Sequence, residues 1–382
     1  MPLIVAGAFA LAAWLYLLAF RGGFWREFRQ GPNDSHVPAA AAPLPSVLAV
    51  IPARNEAAFV DRAVSSVANQ RYPGRFHIVL VDDDSSDGTA EAARAAAPPA
   101  LLTIVRARSL PSGWTGKLWA IAEGIRQAPF EPEFLLLTDA DIVHPPENLT
   151  TLVARAAEGY DLVSYMATLE CNTIAERALI PAFVFYFFLL YPPAWVRSRR
   201  HGTAGAAGGC MLIRRAMLDR IGGIAAIRSE LIDDCALAAA VKHQGGGVWL
   251  RLSAGMLSIR PYATFGEIGR MISRSAFTQL RHSLLLLFGT TLGLMLTFLA
   301  PPLLTIFAPQ PAAGLGAGAW LLMSVAYFRA VRFYRAPWFW APLLPAVAMF
   351  YLGATFHSAV SCWRGAGGLW KGRAQDVRNT VS

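Results

Sequence analysis

The sequence predicts an α/β fold with a mostly parallel central sheet, joined to N-terminal and C-terminal transmembrane helices. Three observations predict it. Between residues 46 and 262, short apolar strand-like runs alternate with segments of helical period. Two acidic clusters, Val81-Asp82-Asp83-Asp84-Ser85-Ser86-Asp87-Gly88-Thr89 and Thr138-Asp139-Ala140-Asp141, each follow such a run. They therefore fall at the carboxyl ends of strands, where open α/β sheets bind ligands. Four apolar stretches near bilayer-spanning length, residues 3–20, 284–308, 315–331 and 339–361, lie outside that region.

In chain order, residues 3–20 lack a basic n-region and a small-residue cleavage site, and Arg21, Arg26 and Arg29 follow them. They are expected to be a retained anchor rather than a signal peptide. A Pro/Ala-rich linker covers residues 31–45. Residues 47–51 have a buried-strand pattern, and residues 56–69 place Phe59, Val60, Ala63, Val64 and Val67 on one helical face. Strands are expected at 76–81, 101–105 and 134–137, with helices after Asp87, over 117–127 and from Pro146. A third acidic cluster, Asp233-Asp234, opens a helix over 231–243. Residues 178–196 are apolar and aromatic but broken by Pro192-Pro193, and are expected to be a membrane-dipping or core helix. Residues 266–283 are expected to form one helix, on which Arg270, Arg274 and Arg281 make a basic stripe within about 40°, as in an interfacial helix. The chain thus divides into an anchor (1–21), a linker (22–45), an α/β domain (46–262), a basic interfacial helix (263–283), C-terminal transmembrane segments (284–361) and a basic tail (362–382).

The excess of positive charge near the first span puts the α/β domain on the cytoplasmic side of a multi-pass inner-membrane protein. The tail Arg364, Lys371, Arg373 and Arg378 conflicts with that rule if the last segment spans. Four cysteines without CxxC or paired-histidine spacing argue against a zinc site or a disulfide framework. A net charge of +9 suits anionic headgroups and nucleotide diphosphates. Without a recognised module it does not suggest nucleic acid.

Only 25 Asp and Glu stand against 34 Lys and Arg, so carboxylates crowded into three short segments need a use. A loop aspartate can accept a hydrogen bond from a nucleobase, an Asp-x-Asp pair can hold Mg²⁺ or Mn²⁺ against a diphosphate, and a further carboxylate can take a proton from an acceptor hydroxyl. Each cluster alone has a plainer reading: an Asp/Ser turn with a helix cap at Ser86 or Asp87, an exposed Asp-x-Asp turn, and a capped helix start at Asp233-Asp234. Their order along the chain favours the chemistry.

Together with Ile51-Pro52-Ala53-Arg54-Asn55-Glu56, these clusters resemble the successive motifs of family 2 glycosyltransferases with the GT-A fold, over about residues 46–262. Further stretches, Gly113-Trp114-Thr115-Gly116-Lys117-Leu118-Trp119-Ala120, Ala206-Ala207-Gly208-Gly209-Cys210-Met211 and Ala276-Phe277-Thr278-Gln279-Leu280-Arg281, resemble the hopene-associated glycosyltransferases of bacterial hopanoid gene clusters. The resemblance implies that Pro52, Arg54 and Glu56 line a nucleoside site and that Asp83, with Asp82 beside it, contacts the base. It implies that Lys117 reaches base or phosphate (a surface lysine is the plainer reading), and that Asp139 and Asp141 bind ribose and metal, Asp141 being favoured as the direct ligand. Asp234 matches the family's general base, and Gly208 and Gly209 would admit donor or acceptor close to the backbone, where a plain turn is the alternative. The Gln-x-x-Arg-Trp motif of processive synthases is only partly echoed by Gln279-Leu280-Arg281-His282, which favours a single transfer. The resulting expectation is an inverting, Mg²⁺- or Mn²⁺-dependent transfer from a nucleotide-diphosphate sugar, a UDP-sugar first, to a membrane lipid such as a hopanoid. A polyprenyl-phosphate or glycerolipid acceptor is the alternative, and a catalytically silent membrane scaffold is the rival of a different class.

Overall fold

The computed structural model describes residues 1–29 and 44–365 and the backbone of 369–370 and 373–374. Most of the Pro/Ala-rich linker, together with Lys371 and Arg378 of the tail, lies outside the described residues. The chain forms two compact units. Of the described residues, one gathers those within Met1–Gln30, Glu170–Ala194 and Tyr262–Gly367, and the other those within Gly31–Leu169, Trp195–Pro261 and Gly368–Ser382. The α/β domain expected as residues 46–262 is therefore interrupted, because 170–194 belongs with the helical unit.

The second unit is built on an eight-stranded sheet: β1 (Val47–Ala53), β2 (Phe76–Asp82), β3 (Leu102–Arg106), β4 (Phe134–Thr138), β5 (Ile142–Val143), β6 (Leu162–Leu169), β7 (Cys210–Arg214) and β8 (Val248–Ser258). Their order is β3-β2-β1-β4-β7-β6-β8-β5. β3, β2, β1 and β4 run parallel, while β7 pairs antiparallel with both β4 and β6. All of β1 and β4 is buried, as expected for strands covered on both faces. The order reverses between β1 and β4, so the crevice beyond their carboxyl ends is the topological switch point. The β1–β4 pairing stops at Val50, and Pro52 sits past that point, where its missing N–H breaks no ladder bond to β4.

Helices Val60–Ala68, Thr89–Ala95, Gly116–Arg126 and Asn148–Ala157 follow the parallel strands. The first starts four residues later than its pattern suggests, because Glu56–Phe59 form a turn that serves the site. Helix Gly116–Arg126 lies so close to the sheet that a Cβ at Gly124 would stand 2.5 Å from Val50 Cγ1 and 2.9 Å from Val81 Cγ2. Its buried Glu123 accepts hydrogen bonds from Arg108 (2.9 and 2.8 Å) and Arg126 (2.9 Å). Burial opposes that charge, but these bonds prevail and hold the Glu123 carboxyl at about 2. A depressed carboxylate stabilises the fold above its ordinary range and loses that contribution as pH falls toward 2. Both guanidinium groups are largely exposed, so solvent screens the pairs. Glu123→Gln is expected to lower Tm by roughly 2–4 °C at pH 7, with the gap to the wild type closing below pH 4. Equal Tm values at pH 7 would contradict this.

Among the described residues, five helical segments are long and apolar enough to cross a membrane: Pro2–Ala19, Ile174–Arg197, Leu284–Phe307, Ala312–Phe333 and Leu344–Trp363. The second corresponds to the aromatic run expected to dip or pack, and over half of its apolar window is buried. The third is interrupted by a π-turn at Met295–Leu299. Pro301 has no N–H for the Thr297 carbonyl one turn earlier, and the Trp14 indole N–H donates to that carbonyl instead at 2.8 Å.

The continuous basic helix expected over 266–283 does not form. Helix Phe265–Ser273 ends at Arg274, a short helix Ala276–Gln279 follows, and Arg281 and His282 adopt left-handed backbone (φ 51° and 54°). Packing on helix Leu344–Trp363 overrides the periodicity. Ser273 Oγ donates to the Ala354 carbonyl (3.0 Å), and Phe277 N–H donates to Ser358 Oγ (3.1 Å). Arg270, Arg274 and Arg281 therefore share no single helical stripe.

Candidate active site

The loops after β1 and β2 are stitched together at the switch point. Asn55 N–H donates to Ser85 Oγ (3.0 Å), Ser86 N–H to Asn55 Oδ1 (3.0 Å), Glu56 N–H to Thr89 Oγ1 (2.8 Å) and Ala57 N–H to Asp87 Oδ2 (3.0 Å). Asp87 also accepts from the Thr89 N–H and hydroxyl. Burial would raise its pKa, but these bonds outweigh that and lower it. Helix Thr89–Ala95 starts from Gly88, which is left-handed at φ 87° and provides no side-chain cap. The cap expected at Ser86 or Asp87 is thus an aspartate turn one residue earlier.

Within the first cluster the aspartates separate. Asp82 Oδ1 accepts the Ser85 N–H (3.1 Å) and holds the turn. Asp83 is buried, its N–H donates to the Ala53 carbonyl (2.8 Å), and its carboxylate lies 3.7 Å from Arg54, which also donates to the Asp83 carbonyl. Asp83 and Asp84 line a cavity of about 820 Å³ with Arg106, Arg108, Ser109 and Trp119. This is room for a nucleobase and more, with a carboxylate in its wall. Of the two aspartates expected at the base, Asp83 lines this cavity, while Asp82 is engaged in its own turn.

The second and third clusters meet around one lysine. Thr115 caps helix Gly116–Arg126, accepting from Leu118 N–H at 3.3 Å, and its own N–H donates to the Arg228 carbonyl. Lys117 is thus in the first turn, where the helix dipole disfavours a cation. Three carboxylates make up for it. Lys117 Nζ lies 2.9 Å from Asp139 and 3.2 Å from Asp233, with Asp234 adding to the field. Burial alone would deprotonate this ammonium, but the acids overcome it and raise the pKa, so Lys117 stays charged. The plain surface-lysine reading is excluded by this burial.

Asp233 and Asp234 open helix Asp233–His243, where a negative charge suits the dipole. Neither caps it: the N-cap is Ile232 and has no side-chain bond. Asp234 Oδ1 accepts the Cys235 N–H (2.7 Å), and Oδ2 accepts the Gly208 N–H (2.8 Å). Burial and the neighbouring Asp233 push its carboxyl up to about 6, against the pull of Lys117 and these two bonds. A Cβ at Gly208 would stand 3.1 Å from Lys117 Nζ and 3.4 Å from Asp234 Oδ2, so a side chain here would press on the Lys117 ammonium. Gly209 offers its carbonyl to the Thr138 hydroxyl (2.7 Å), and its own Cβ would press on Ile142.

Asp139 and Asp141 follow β4 as expected but do not stand open. Asp139 faces Lys117, and Asp141 accepts from Arg260 Nε at 2.7 Å. Arg260 also ion-pairs with Glu56 and covers the Phe59 ring. Among the described residues, no three His, Cys, Asp or Glu side chains form a preformed metal cage. Carboxylate oxygens are nevertheless the donors that Mg²⁺ and Mn²⁺ prefer. The donor chemistry of Asp139 and Asp141, the pair expected to bind ribose and metal, fits a divalent ion.

Of the expected residues, Lys117, Asp139, Asp234 and Gly208 share one cluster, and Glu56 joins Asp141 through Arg260. Asp83 lines the cavity with Arg54 paired to it, and Pro52 lies within β1. Arg260 escaped the sequence reading, and Asp233 was read as part of the third cluster without a role of its own. Arg260 lies two residues past the end of β8 with no motif around it.

Residues 48–222 match the family described as Glycosyl transferase family 2. The undecaprenyl-phosphate 4-deoxy-4-formamido-L-arabinose transferase of Pseudomonas paraeruginosa (strain DSM 24068 / PA7) is 38% identical over 126 residues, 32% of this chain and 35% of that protein. The protein of the same name from Pseudomonas savastanoi pv. phaseolicola is 35% identical over 188 residues, 46% of this chain and 50% of that one. The chain thus spans between a third and a half of the length of these curated relatives. A mannosyltransferase, PcManGT from Pyrobaculum calidifontis, solved with GDP-Man and Mn²⁺, superposes with a TM-score of 0.61 at 20% identity, covering 94% of this chain and 99% of that one. That likeness establishes the GT-A fold.

Proposed function

Since this chain carries a glycosyl transferase family 2 domain, we propose that it moves a sugar from a nucleotide-diphosphate donor to a polyprenyl-phosphate lipid at the cytoplasmic face of the inner membrane. The observation that carries this reading is the convergence of Lys117, Asp139, Asp141, Asp234 and Arg260 at the sheet's switch point, next to the Asp83 cavity. The choice of acceptor is supported by the undecaprenyl-phosphate transferases among its relatives and by five apolar helices on the same chain. The hopanoid acceptor, which only the sequence resemblance suggested, becomes the second reading.

In this mechanism the cavity takes the base of the donor, for which UDP is the first candidate, with Asp83 accepting from a ring N–H. Lys117 and Arg260 attract the diphosphate. A divalent ion bound through Asp139 and Asp141 would supply charge neutralisation for the leaving diphosphate. The acceptor oxygen attacks the anomeric carbon from the face opposite the diphosphate. One C–O bond forms as the sugar–phosphate C–O bond breaks, its electron pair leaves on the nucleotide, and the anomeric configuration inverts.

The two acceptors ask different things of Asp234. A phosphate monoester is already ionised near pH 7, so it needs no base, and Asp234 then only positions Lys117 and the Gly208 backbone. A hydroxyl acceptor must lose its proton, and a buried carboxylate raised to about 6 is suited to take it. That feature favours the second reading. The test is transfer by the purified protein in detergent, with a panel of nucleotide sugars offered undecaprenyl phosphate or a hydroxylated hopanoid, and the products weighed by mass spectrometry. Glycosylated hopanoid without any polyprenyl product would overturn the leading reading.

A further inference from the structure

Helix Asp233–His243 carries Asp233 and Asp234 at one end and Lys242 at the other. A lysine in the last helical turn commonly interacts with its own helix's carbonyls. Lys242 does something else. Its Nζ donates to the carbonyls of Trp195 (3.2 Å), Ser198 (3.1 Å), His201 (2.9 Å) and Thr203 (2.7 Å), all on the chain segment that precedes Gly208. Three N–H donors serve four acceptors, so at least one is shared. Burial lowers the Lys242 pKa.

This segment has little structure of its own. Residues 198–209 form no helix or strand, and Arg199, Arg200, His201 and Gly202 are exposed. Its far end is fixed tightly. Ala207 N–H donates to Ser164 Oγ (2.8 Å), Gly208 N–H to Asp234 Oδ2 (2.8 Å), and Cys235 Sγ approaches the Ala206 carbonyl (3.7 Å). The one helix therefore grips the segment twice: through Asp234 at its amino end, and about two turns later through the Lys242 ammonium.

We infer that Lys242 is a positioning residue, which gathers four carbonyls of the 195–203 segment so that Gly208 is delivered to Asp234 and Lys117 in register. Without the ammonium, the converging carbonyl dipoles repel one another and turn to water. The segment leading to Gly208 then opens, and Asp234 loses a hydrogen bond that orients it. Arginine keeps the charge, but its planar fork cannot point donors at four carbonyls converging on one atom.

The catalytic half of this inference rests on the transferase reading above; the structural half does not. Both are tested on the full chain in detergent with Lys242→Met and Lys242→Arg. Trypsin cleavage at Arg199 and Arg200 is timed by mass spectrometry, beside Tm, kcat and donor KM. Lys242→Met is expected to be cut there at least about tenfold faster than the wild type. Its kcat should fall by about tenfold or more, with donor KM within about twofold and Tm within a few degrees, and Lys242→Arg should fall between. Wild-type cleavage and kcat in the Met variant would overturn the inference, as would kcat and donor KM deteriorating together with Tm. If the Met variant does not fold, the Arg variant decides by the same cleavage ratio. If the wild type transfers sugar to neither acceptor, the transferase reading fails, and the cleavage rates alone uphold or overturn the clamp.

Discussion

Asp234→Asn is expected to lower kcat for a hydroxyl acceptor by at least about a hundredfold, the usual contribution of a positioned base, while donor affinity stays within about twofold. The amide can still accept the Gly208 N–H or the Cys235 N–H, so the local backbone is retained, but it cannot take a proton. For a phosphate acceptor the same change should cost less than about tenfold. The pH profile alone does not separate the two. Wild-type activity on a hydroxyl acceptor should fall below about pH 6, because the base must be unprotonated and its carboxyl is raised to about 6. A phosphate monoester also loses its second proton near 6, which gives an acid limb of the same sense. The variant breaks the tie. With a hydroxyl acceptor the limb disappears along with the rate; with a phosphate acceptor both persist. A hundredfold loss on both acceptors would assign Asp234 to a step they share, such as holding the Lys117 cluster.

The four parallel strands, and the acid clusters at the carboxyl ends of two of them, were legible in the sequence because parallel strands leave uninterrupted apolar runs. Val47–Ala53 and Phe134–Thr138 are buried throughout and needed no partner to be recognised. The acid clusters were legible for a related reason, since carboxylates in a basic, apolar chain stand out. Their counterions were not. Lys117 was visible only through the motif around it, and Arg260 not at all, because pairing with Asp141 across more than a hundred residues leaves no local spacing to detect. The helix expected over 266–283 failed for the same physical reason in reverse. Its period was a local signal, and hydrogen bonds donated by Ser273 and Phe277 to a helix some 80 residues further on outweighed it. The split between Asp82 and Asp83 was equally hidden, since which of two adjacent aspartates turns into its own loop depends on a backbone turn rather than on composition.

Lys117→Met is the second change with a large expected effect, and it acts on stability, metal affinity and rate together. The side chain fills the same space, but Asp139, Asp233 and Asp234 lose the cation between them, and all three are at most about one-third exposed or half-buried. Removing one partner of a buried pair typically costs about 3–5 kcal/mol, and the exposure of Asp139 places this case at about 3. The loss should shrink as pH falls, because protonating Asp234 relieves the repulsion. Its carboxyl, already raised by burial and by Asp233, should rise further once Lys117 no longer opposes that shift. Mn²⁺ offers a readout independent of turnover. In the wild type both candidate metal carboxylates are engaged by protein cations, so the ion should bind weakly alone and more tightly with a nucleoside diphosphate. Lys117→Met frees Asp139, and Arg260→Gln frees Asp141, and each should tighten Mn²⁺ binding without nucleotide by about tenfold, measured by electron paramagnetic resonance of the free ion. Transfer in Lys117→Met should nonetheless fall by about a hundredfold or more, since added metal restores charge but not a donor at Nζ. If Mn²⁺ binding is unchanged in both variants, Asp139 and Asp141 are not the metal carboxylates, and the ion pairs around them serve the fold alone.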